Sequence, residues 1–348
     1  MFIPVSGEFG MGEYARALAI ADGARERWPD AAIHFFVSRR APYAARCPYP
    51  ATLLDASPTF HSGAVIEMIG HWHPDVVIFD NAGRTAQLRA VRRAGARVVY
   101  VSARPRQRRR AFRLSWMRLI DEHWIAYPEF IAGSLGWSER LKLRLMGRPR
   151  VRYLDVVLAR AGTGPDATRG MAPPVAGLTR PYVLIVPGGG TGHPADRDAP
   201  GRFLDAARRV ALAGIPIVYA GGSDDAGGAP SPPGLRVAGR VPQGELAVLM
   251  RGARLIVANG GSTLMQAIAS GKPSIGVPVA GDQAERIRRC VDAGVAASAP
   301  LDAAAIAGTA SDLWRDDTRR DALAARATGA GLADGVAIAV QALEAWFP

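Results

Sequence analysis

Short apolar runs alternate with stretches of helical period along most of the chain, a rhythm that marks βα units built around parallel sheets. In the first half the runs are AAIHFFVS at 31–38, PDVVIFD at 74–80, RVVYVS at 97–102 and HWIAYP at 123–128. They are rich in Val, Ile, Phe and Tyr and lack polar alternation, which predicts strands covered on both faces. The stretch GTGPDATRGMAPPVAGLTRP, 162–181, breaks the rhythm with Gly, Pro and Thr and has no apolar period, so it reads as a linker. The runs then resume as YVLIVPGGG (182–190), PIVYAGG (216–222), LRVAGRV (235–241), RLIVANGG (254–261) and PSIGVPV (273–279). The pattern predicts two Rossmann-like α/β domains, 1–162 and 182–332, joined by 163–181. The end of the chain, 333–348, carries apolar Val336, Ile338, Val340, Leu343 and Trp346 and reads as a docked helix, with the first domain as its expected partner.

Length fits this division, since 348 residues are many for one core and comfortable for two. Apolar residues make up 49% and charged residues 21%, and Gly and Pro are dispersed, which excludes a disordered or low-complexity chain. The start, MFIPVSGEFG, lacks the pattern of a secretory signal, and no segment reaches the roughly 20 uninterrupted apolar residues of a spanning helix. The expectation is a cytoplasmic protein. Cys47 and Cys290 are far apart and outside any C-x-x-C spacing, so they read as small apolar residues.

In open parallel sheets, ligands bind beyond the carboxyl ends of the strands. PGGGTGH, 187–193, leaves a strand with glycines whose amides can approach a phosphate, although such turns also serve plain chain reversal. NGGST, 259–263, leaves another strand and enters the helix TLMQAIASG, again presenting amides and hydroxyls to an anion. The strand SIGVPV follows, and then Asp282-Gln283 at the start of a further helix. Two consecutive strand ends thus aim polar groups into one crevice.

The run from Val257 to Glu285 resembles the donor-binding signature of GT-B enzymes: the peptidoglycan N-acetylglucosaminyltransferase, plant and antibiotic glycosyltransferases, and the UDP-sugar hydrolase of pseudaminic acid synthesis. There a G-G-x-T-x-x-E pattern precedes a G-x-P-x-x-x-x-P stretch and Asp-Gln. Here stand Gly260, Gly261, Ser262 and Thr263, then Gly271, Pro273 and Pro278, then Asp282 and Gln283. The resemblance implies a GT-B fold, two Rossmann-like domains with parallel sheets facing a central cleft. It also implies a nucleotide-diphosphate sugar as partner. Ser262 and Thr263 would lie by the diphosphate with Gly188, Gly189, Gly190 and Thr191 opposite, Asp282 and Gln283 on the sugar hydroxyls, and Val241 at the base. One position departs: the ribose-binding Glu is Gln266 here. An amide accepts at one atom and donates at the other, so a deoxyribose donor such as a dTDP-sugar loses less than UDP from the change.

In the first domain SGEFGMGEYARALAIADGA, 6–24, resembles the acceptor-side G-x-G-H loop of the same families, with Gly10 and Gly12 in the loop and Glu13 where that His stands. An inverting transfer needs a base for the acceptor hydroxyl, or for water in a hydrolase. Glu13 is the first candidate, against the plain alternative that it favours a helix first turn. Asp80 is the second, as base or orienting partner, with His193 and Glu8 behind it. His71 and His73 in GHWHPD form an H-x-H pair without clear further ligands, and the resemblance calls for no metal and no cofactor.

Net charge is +12, and 104–152 holds thirteen Lys or Arg against four Asp or Glu. RPRQRRRAFRLSWMRLID, 104–121, sets Phe112, Trp116, Leu119 and Ile120 at near-helical spacing beneath arginines, and LGWSERLKLRLMGRPRVR follows at 135–152. These suit an anionic membrane surface or a lipid-linked acceptor at the inner face of the membrane; the alternative is a solvated basic face whose aromatics belong to the core. Without a nucleic-acid module, no nucleic acid is expected. The sequence therefore predicts an inverting, metal-independent GT-B glycosyltransferase, with a nucleotide-sugar hydrolase or epimerase and a non-catalytic nucleotide-sugar-binding protein as rivals.

Overall fold

The computed structural model describes residues 1–8, 11–157, 181–188, 198–221, 231–239, 241 and 243–347. The chain divides into two compact units, Met1–Leu158 with Ala333–Pro348, and Ala159–Leu332. The stretch 162–181 falls outside the described residues except for Pro181.

Unit 1 begins with β1 (Phe2–Pro4), α1 (Gly12–Arg27), β2 (Phe35–Ser38), β3 (Ala51–Leu54), α2 (Ser62–Trp72), β4 (Val76–Asp80) and α3 (Thr85–Arg93). It continues through β5 (Arg97–Ser102), α4 (Pro105–Ala111), α5 (Leu114–Met117), β6 (Glu122–Ile125), α6 (Glu129–Ala132), α7 (Trp137–Met146) and β7 (Arg150–Tyr153). The sheet is parallel, in the order β3-β2-β1-β4-β5-β6-β7. Unit 2 repeats the plan with β8 (Val183–Val186), α8 (Ala199–Leu212), β9 (Ile217–Ala220), β10 (Leu235–Gly239), α9 (Gln243–Gly252), β11 (Leu255–Asn259) and α10 (Ser262–Ala269). After these come β12 (Ser274–Val277), α11 (Gly281–Asp292), β13 (Ala297–Ser298), α12 (Ala303–Arg315) and α13 (Asp317–Gly329). Its sheet is also parallel, ordered β10-β9-β8-β11-β12-β13. The last helix, α14 (Gly335–Glu344), belongs to unit 1.

The continuous apolar runs follow from burial on both faces. Alternate strand residues Phe35, Val37, Ile78, Val99, Val101 and Trp124 pack with Tyr14, Ala17 and Ile20 of α1 and Ala339 and Leu343 of α14. Their neighbours Phe36, Val77, Phe79, Val98 and Tyr100 face the other way, onto Val65 and Ile69 of α2, Leu88 and Val91 of α3, and Trp116. Each such side chain contributes about 1.5–3 kcal/mol by leaving water. In unit 2 Ile185, Tyr219, Val257 and Ile275 pack on Phe203 and Val210 of α8 and Ile306 and Leu313 of α12.

The predicted strand at 31–38 contracts to Phe35–Ser38, and β3, β7 and β13 were not among the predicted runs. These are short strands toward the sheet margins, and β7, Arg-Val-Arg-Tyr, carries too much charge to register as an apolar run.

The stretch 104–121 follows the second of its two readings, in which the aromatics belong to the core. It forms the short helices α4 and α5 in place of one lipid-facing helix, and Phe112, Trp116 and Ile120 are buried. Trp116 stands edge-on to Tyr100 with ring centroids 5.2 Å apart, and its Nε1 donates to Thr85 Oγ1 at 3.0 Å. The aromatics of this stretch therefore close the core, while Leu119 is half-buried and Leu114 lies exposed.

Beneath them His123 of β6 lies fully buried, its Nε2 2.8 Å from Ser102 Oγ and its ring 5.2 Å from that of Phe112. Burial, aided by the charge of Arg108, pushes its pKa down from 6.5 to about 3, so the folded chain holds it neutral. Unfolded chains bind a proton here below about pH 6.5 that the fold refuses, so this contribution is fully present above that pH and is lost as pH falls. Lowering the pH from 7.5 to 5 is expected to cost unit 1 about 2 kcal/mol in urea unfolding. His123→Gln should remove most of that pH dependence, and an unchanged slope in the variant would contradict the assignment.

Candidate functional site

Each sheet reverses its strand order once, between β1 and β4 in unit 1 and between β8 and β11 in unit 2. At such a reversal the loops leaving the two strands turn to opposite faces, opening a crevice beyond the strand ends. Candidate residues read from the sequence gather at both reversals.

In unit 1, Asp80 ends β4, is 1% exposed, and accepts from Arg16 of α1 through both oxygens: Nε to Oδ2 and Nη2 to Oδ1, each 2.7 Å. Burial outweighs the charge and hydrogen bonds of Arg16, which pull the other way, and leaves the Asp80 carboxyl raised to about 6. Burial opposes the charge on Arg16 too, but Asp80 outweighs it and holds the guanidinium more firmly protonated than usual. At neutral pH the two form an ion pair that bolts α1 to the end of β4.

Glu13 stands one turn before Arg16, in the first turn of α1. Asn81 holds it by donating from Nδ2 to Oε1 at 2.9 Å. Asn81 is itself buried with φ 52, and its Oδ1 accepts from the Ala103 amide at 2.9 Å, which fixes the amide orientation. Arg104 Nη2 lies 3.7 Å from the same Glu13 oxygen. The Glu13 side chain keeps 17% of its surface exposed, so a ligand can reach it where it cannot reach Asp80. Gly12 is the first residue of α1, and Gly10 lies outside the described residues. Glu8 is exposed, 3.8 Å from Arg40.

In unit 2, Gly188 (φ 111) lies directly against the tip of β11: a Cβ there would stand 2.1 Å from Asn259 Nδ2. Asn259 Oδ1 accepts from the Gly261 amide at 3.2 Å. A Cβ on Gly260 would approach Ile287 Cδ1 of α11 to 2.6 Å, so only glycine lets the loop pass that helix. Ser262 and Thr263 open α10 half-buried, and among the described residues no side chain caps that helix, which leaves its first-turn amides open to a ligand.

Gln283, 9% exposed, ties the two strand ends together, because its Oε1 accepts from the amides of Gly260 at 3.2 Å and Val279 at 3.0 Å. Buried Arg286 donates to the Gly260 carbonyl and, at 3.1 Å, to Asp282 Oδ2. Asp282 is the outward member of the pair, with its side chain 43% exposed. Gln266 is half-buried one turn into α10, and Val241 is half-buried just after β10. Gly189, Gly190, Thr191 and His193 lie outside the described residues.

Arg16, Asn81, Arg104 and Arg286 escaped the sequence reading. Arg16 left the clearest signal, as an arginine within the otherwise apolar YARALAIA, 14–21.

The basic stretch presents one further surface. Among its described residues α7 buries none, and Trp137, Leu141 and Leu145, at intervals of four, are 75%, 47% and 76% exposed.

Two doubly wound units with glycine loops at both reversals define a GT-B fold, the architecture of glycosyltransferases that use nucleotide sugars. Solved structures with this fold match the chain along almost its whole length. CalG4, the calicheamicin glycosyltransferase, is 17% identical at a TM-score of 0.68, covering 99% of this chain and 97% of that one. The spinosyn rhamnosyltransferase SpnG complexed with thymidine diphosphate is 15% identical at 0.64, covering 99% of each chain. MurG of Acinetobacter baumannii is 14% identical at 0.63, again over 99% of each. No protein-family model and no curated protein sequence matches the chain.

The two polar residues opening α11 are expected to separate by their effect on folding. Gln283→Leu strands two loop amides and should lower the stability of unit 2 by about 1–3 kcal/mol, whereas Asp282→Asn should stay within about 1 kcal/mol. Urea unfolding checks both, and equal effects would refute the division.

Proposed function

We propose that the chain is a glycosyltransferase that takes a sugar from a nucleoside-diphosphate sugar held by unit 2 and passes it to an acceptor hydroxyl presented by unit 1. The observation that carries this is the uncapped start of α10 beside the Gly188 turn, with Asp282 outward on α11. A departing diphosphate gains most where helix amides and hydroxyls wait for its charge, and Ser262 and Thr263 supply both. Asp282 accepts from donor sugar hydroxyls, and Gln283 keeps its loops in register.

Glu13 is the proposed base. Asn81 and Arg104 orient its carboxylate, its outer oxygen receives the acceptor proton as the hydroxyl attacks, and the displacement inverts the anomeric carbon. Asp80 is enclosed and doubly engaged, so its proposed part is to position Arg16 and through it α1. Glu13→Gln is expected to lower kcat by about 10²–10⁴ with little change in donor KM; full activity in this variant would overturn the role.

The proposed donor carries deoxythymidine. Gln266 stands where a carboxylate would take two ribose hydroxyls, and a single remaining hydroxyl suits an amide. The complex of SpnG with thymidine diphosphate fits this choice. Calorimetry should find dTDP binding at least as tightly as UDP, and Gln266→Glu should move the ratio toward UDP. A strong wild-type preference for UDP would refute it.

A second reading, an acceptor met at the cytoplasmic face of a membrane, draws on α7. Its exposed Trp137, Leu141 and Leu145 run beside Arg140, Lys142 and Arg144, a combination that favours anionic lipid. Among the described residues no helix is long and apolar enough to cross a membrane. Vesicles containing phosphatidylglycerol should sediment the protein and neutral vesicles should not, with binding lost in the double variant Trp137→Ala, Leu145→Ala. Equal sedimentation of variant and wild type would exclude this face.

A further inference from the structure

At the carboxyl end of the unit 1 sheet, arginines divide into those with a carboxylate in hand and those without. Arg16 is committed to Asp80 through two hydrogen bonds, Arg39 lies 2.9 Å from Asp55, and Arg40 lies 3.8 Å from Glu8. Arg104 differs from them. Its Nη2 stands 3.7 Å from Glu13 Oε1, beyond the length of a hydrogen bond, and that oxygen already accepts from Asn81 at 2.9 Å. Among the described residues no acceptor takes an Arg104 side-chain N–H, so the donors of this guanidinium are open.

The side chain is 56% exposed, yet its root is held firmly. Ala103, just before it, gives its amide to Asn81 Oδ1 at 2.9 Å, and Pro105, just after it, sets the first turn of α4. A guanidinium anchored at its root, free at its tip and set beside the proposed base is placed to touch the molecule that this base deprotonates.

Charge names the group it would touch. In the first two turns of α1 and the loops leaving β4 and β5, the described charges are Glu13, Arg16 with its partner Asp80, Arg84 and Arg104. Arg84 follows Asn81 by three residues, which keeps their Cα atoms within about 11 Å. It is exposed, donates to the Thr59 carbonyl at 3.2 Å, and has no described carboxylate within 4 Å. The corner therefore holds positive charge in excess, and a guanidinium binds a phosphate or carboxylate more strongly than a neutral group.

We infer that the acceptor is an acid, with a phosphate or carboxylate close to the hydroxyl that attacks, and that Arg104 selects it by binding that group. The inference rests on the reading of Glu13 as the base. Hydrogen bonds of about 2.7–2.9 Å at either end of the 3.7 Å gap keep the acceptor's hydroxyl and its acidic oxygens within roughly 10 Å of each other, so both belong to one small residue or to adjoining ones. Arg84 adds attraction at longer range.

The probes are glycerol 3-phosphate, glycerate and glycerol, with methyl phosphate and acetate as anions that lack a hydroxyl. They are titrated by ligand-detected NMR on the full chain saturated with dTDP, which occupies the phosphate contacts proposed for unit 2. One of the two hydroxy acids is expected to bind about tenfold tighter than glycerol, and which one it is separates a phosphate from a carboxylate acceptor. The matching anion without a hydroxyl should bind more weakly. Arg104→Gln should remove the acid preference, Arg104→Lys should restore part of it, and Arg109→Gln, at an exposed position about 140° round α4, should leave it unchanged. Equal binding of acids and glycerol, an acid preference that survives Arg104→Gln, or an equal loss in Arg109→Gln overturns the inference. Should Arg104→Gln fail to fold, the comparison of hydroxy acids with glycerol and with the simple anions decides it on the wild type. Failure of dTDP to bind would count against the glycosyltransferase reading, whereas dTDP binding without an acid preference defeats the acidic acceptor alone.

Discussion

The buried pair between Arg16 and Asp80 holds the working end of unit 1 in place. Two charges so deep in a sheet are stable only when each satisfies the other, and the bidentate contact at 2.7 Å does so. The pair fixes the first turns of α1 against the end of β4, and Glu13 and Asn81, each adjacent in structure to one partner, meet as a result. Unit 2 applies the same device differently. There buried Arg286 grips the carbonyl of Gly260, and Gln283 collects the amides on either side. In both units a long polar side chain on a helix fastens the loop at the strand-order reversal, where a loop would otherwise be the least determined part of the fold.

Glycine makes the second arrangement sterically feasible. At Gly188 and Gly260 the backbone runs closer to Asn259 and Ile287 than any side chain permits. Close packing requires glycine at both places, and the proposed contact of loop amides with a phosphate would select the same residue. This explains why the run from Val257 to Glu285 is so informative: its letters are constrained twice.

Legibility in the sequence followed the number of constraints on each segment. Strands β4, β5, β11 and β12 were plain because burial on both faces forbids polar residues, whereas β3, β7 and β13 near the margins carry no such signature. Glu13 and Asp80 were both named as candidate carboxylates, but chain order gives no hint that Arg16 occupies one and Asn81 the other. Phe112, Trp116 and Ile120 left two readings open for a related reason. A helical repeat of apolar residues under arginines looks the same whether it faces lipid or the inside of the protein, and only the partner surface, here Tyr100 and Thr85, decides. Among the described residues the stripe on α7 stays exposed, which is why burial separates two segments that read alike.

The return of α14 to unit 1 has a topological consequence. The chain leaves unit 1 beside the point where it comes back: Val156 forms a parallel bridge with Asp334, the Gly335 amide donates to the Val156 carbonyl at 2.9 Å, and Ala333 reaches Asp155 Oδ2 at 3.1 Å. Unit 2 is therefore a cassette, inserted into its host through a single laced doorway. Two adjacent cuts at that doorway would release one complete module, so recombination, natural or engineered, can exchange unit 2 of such a protein while the host keeps its own core.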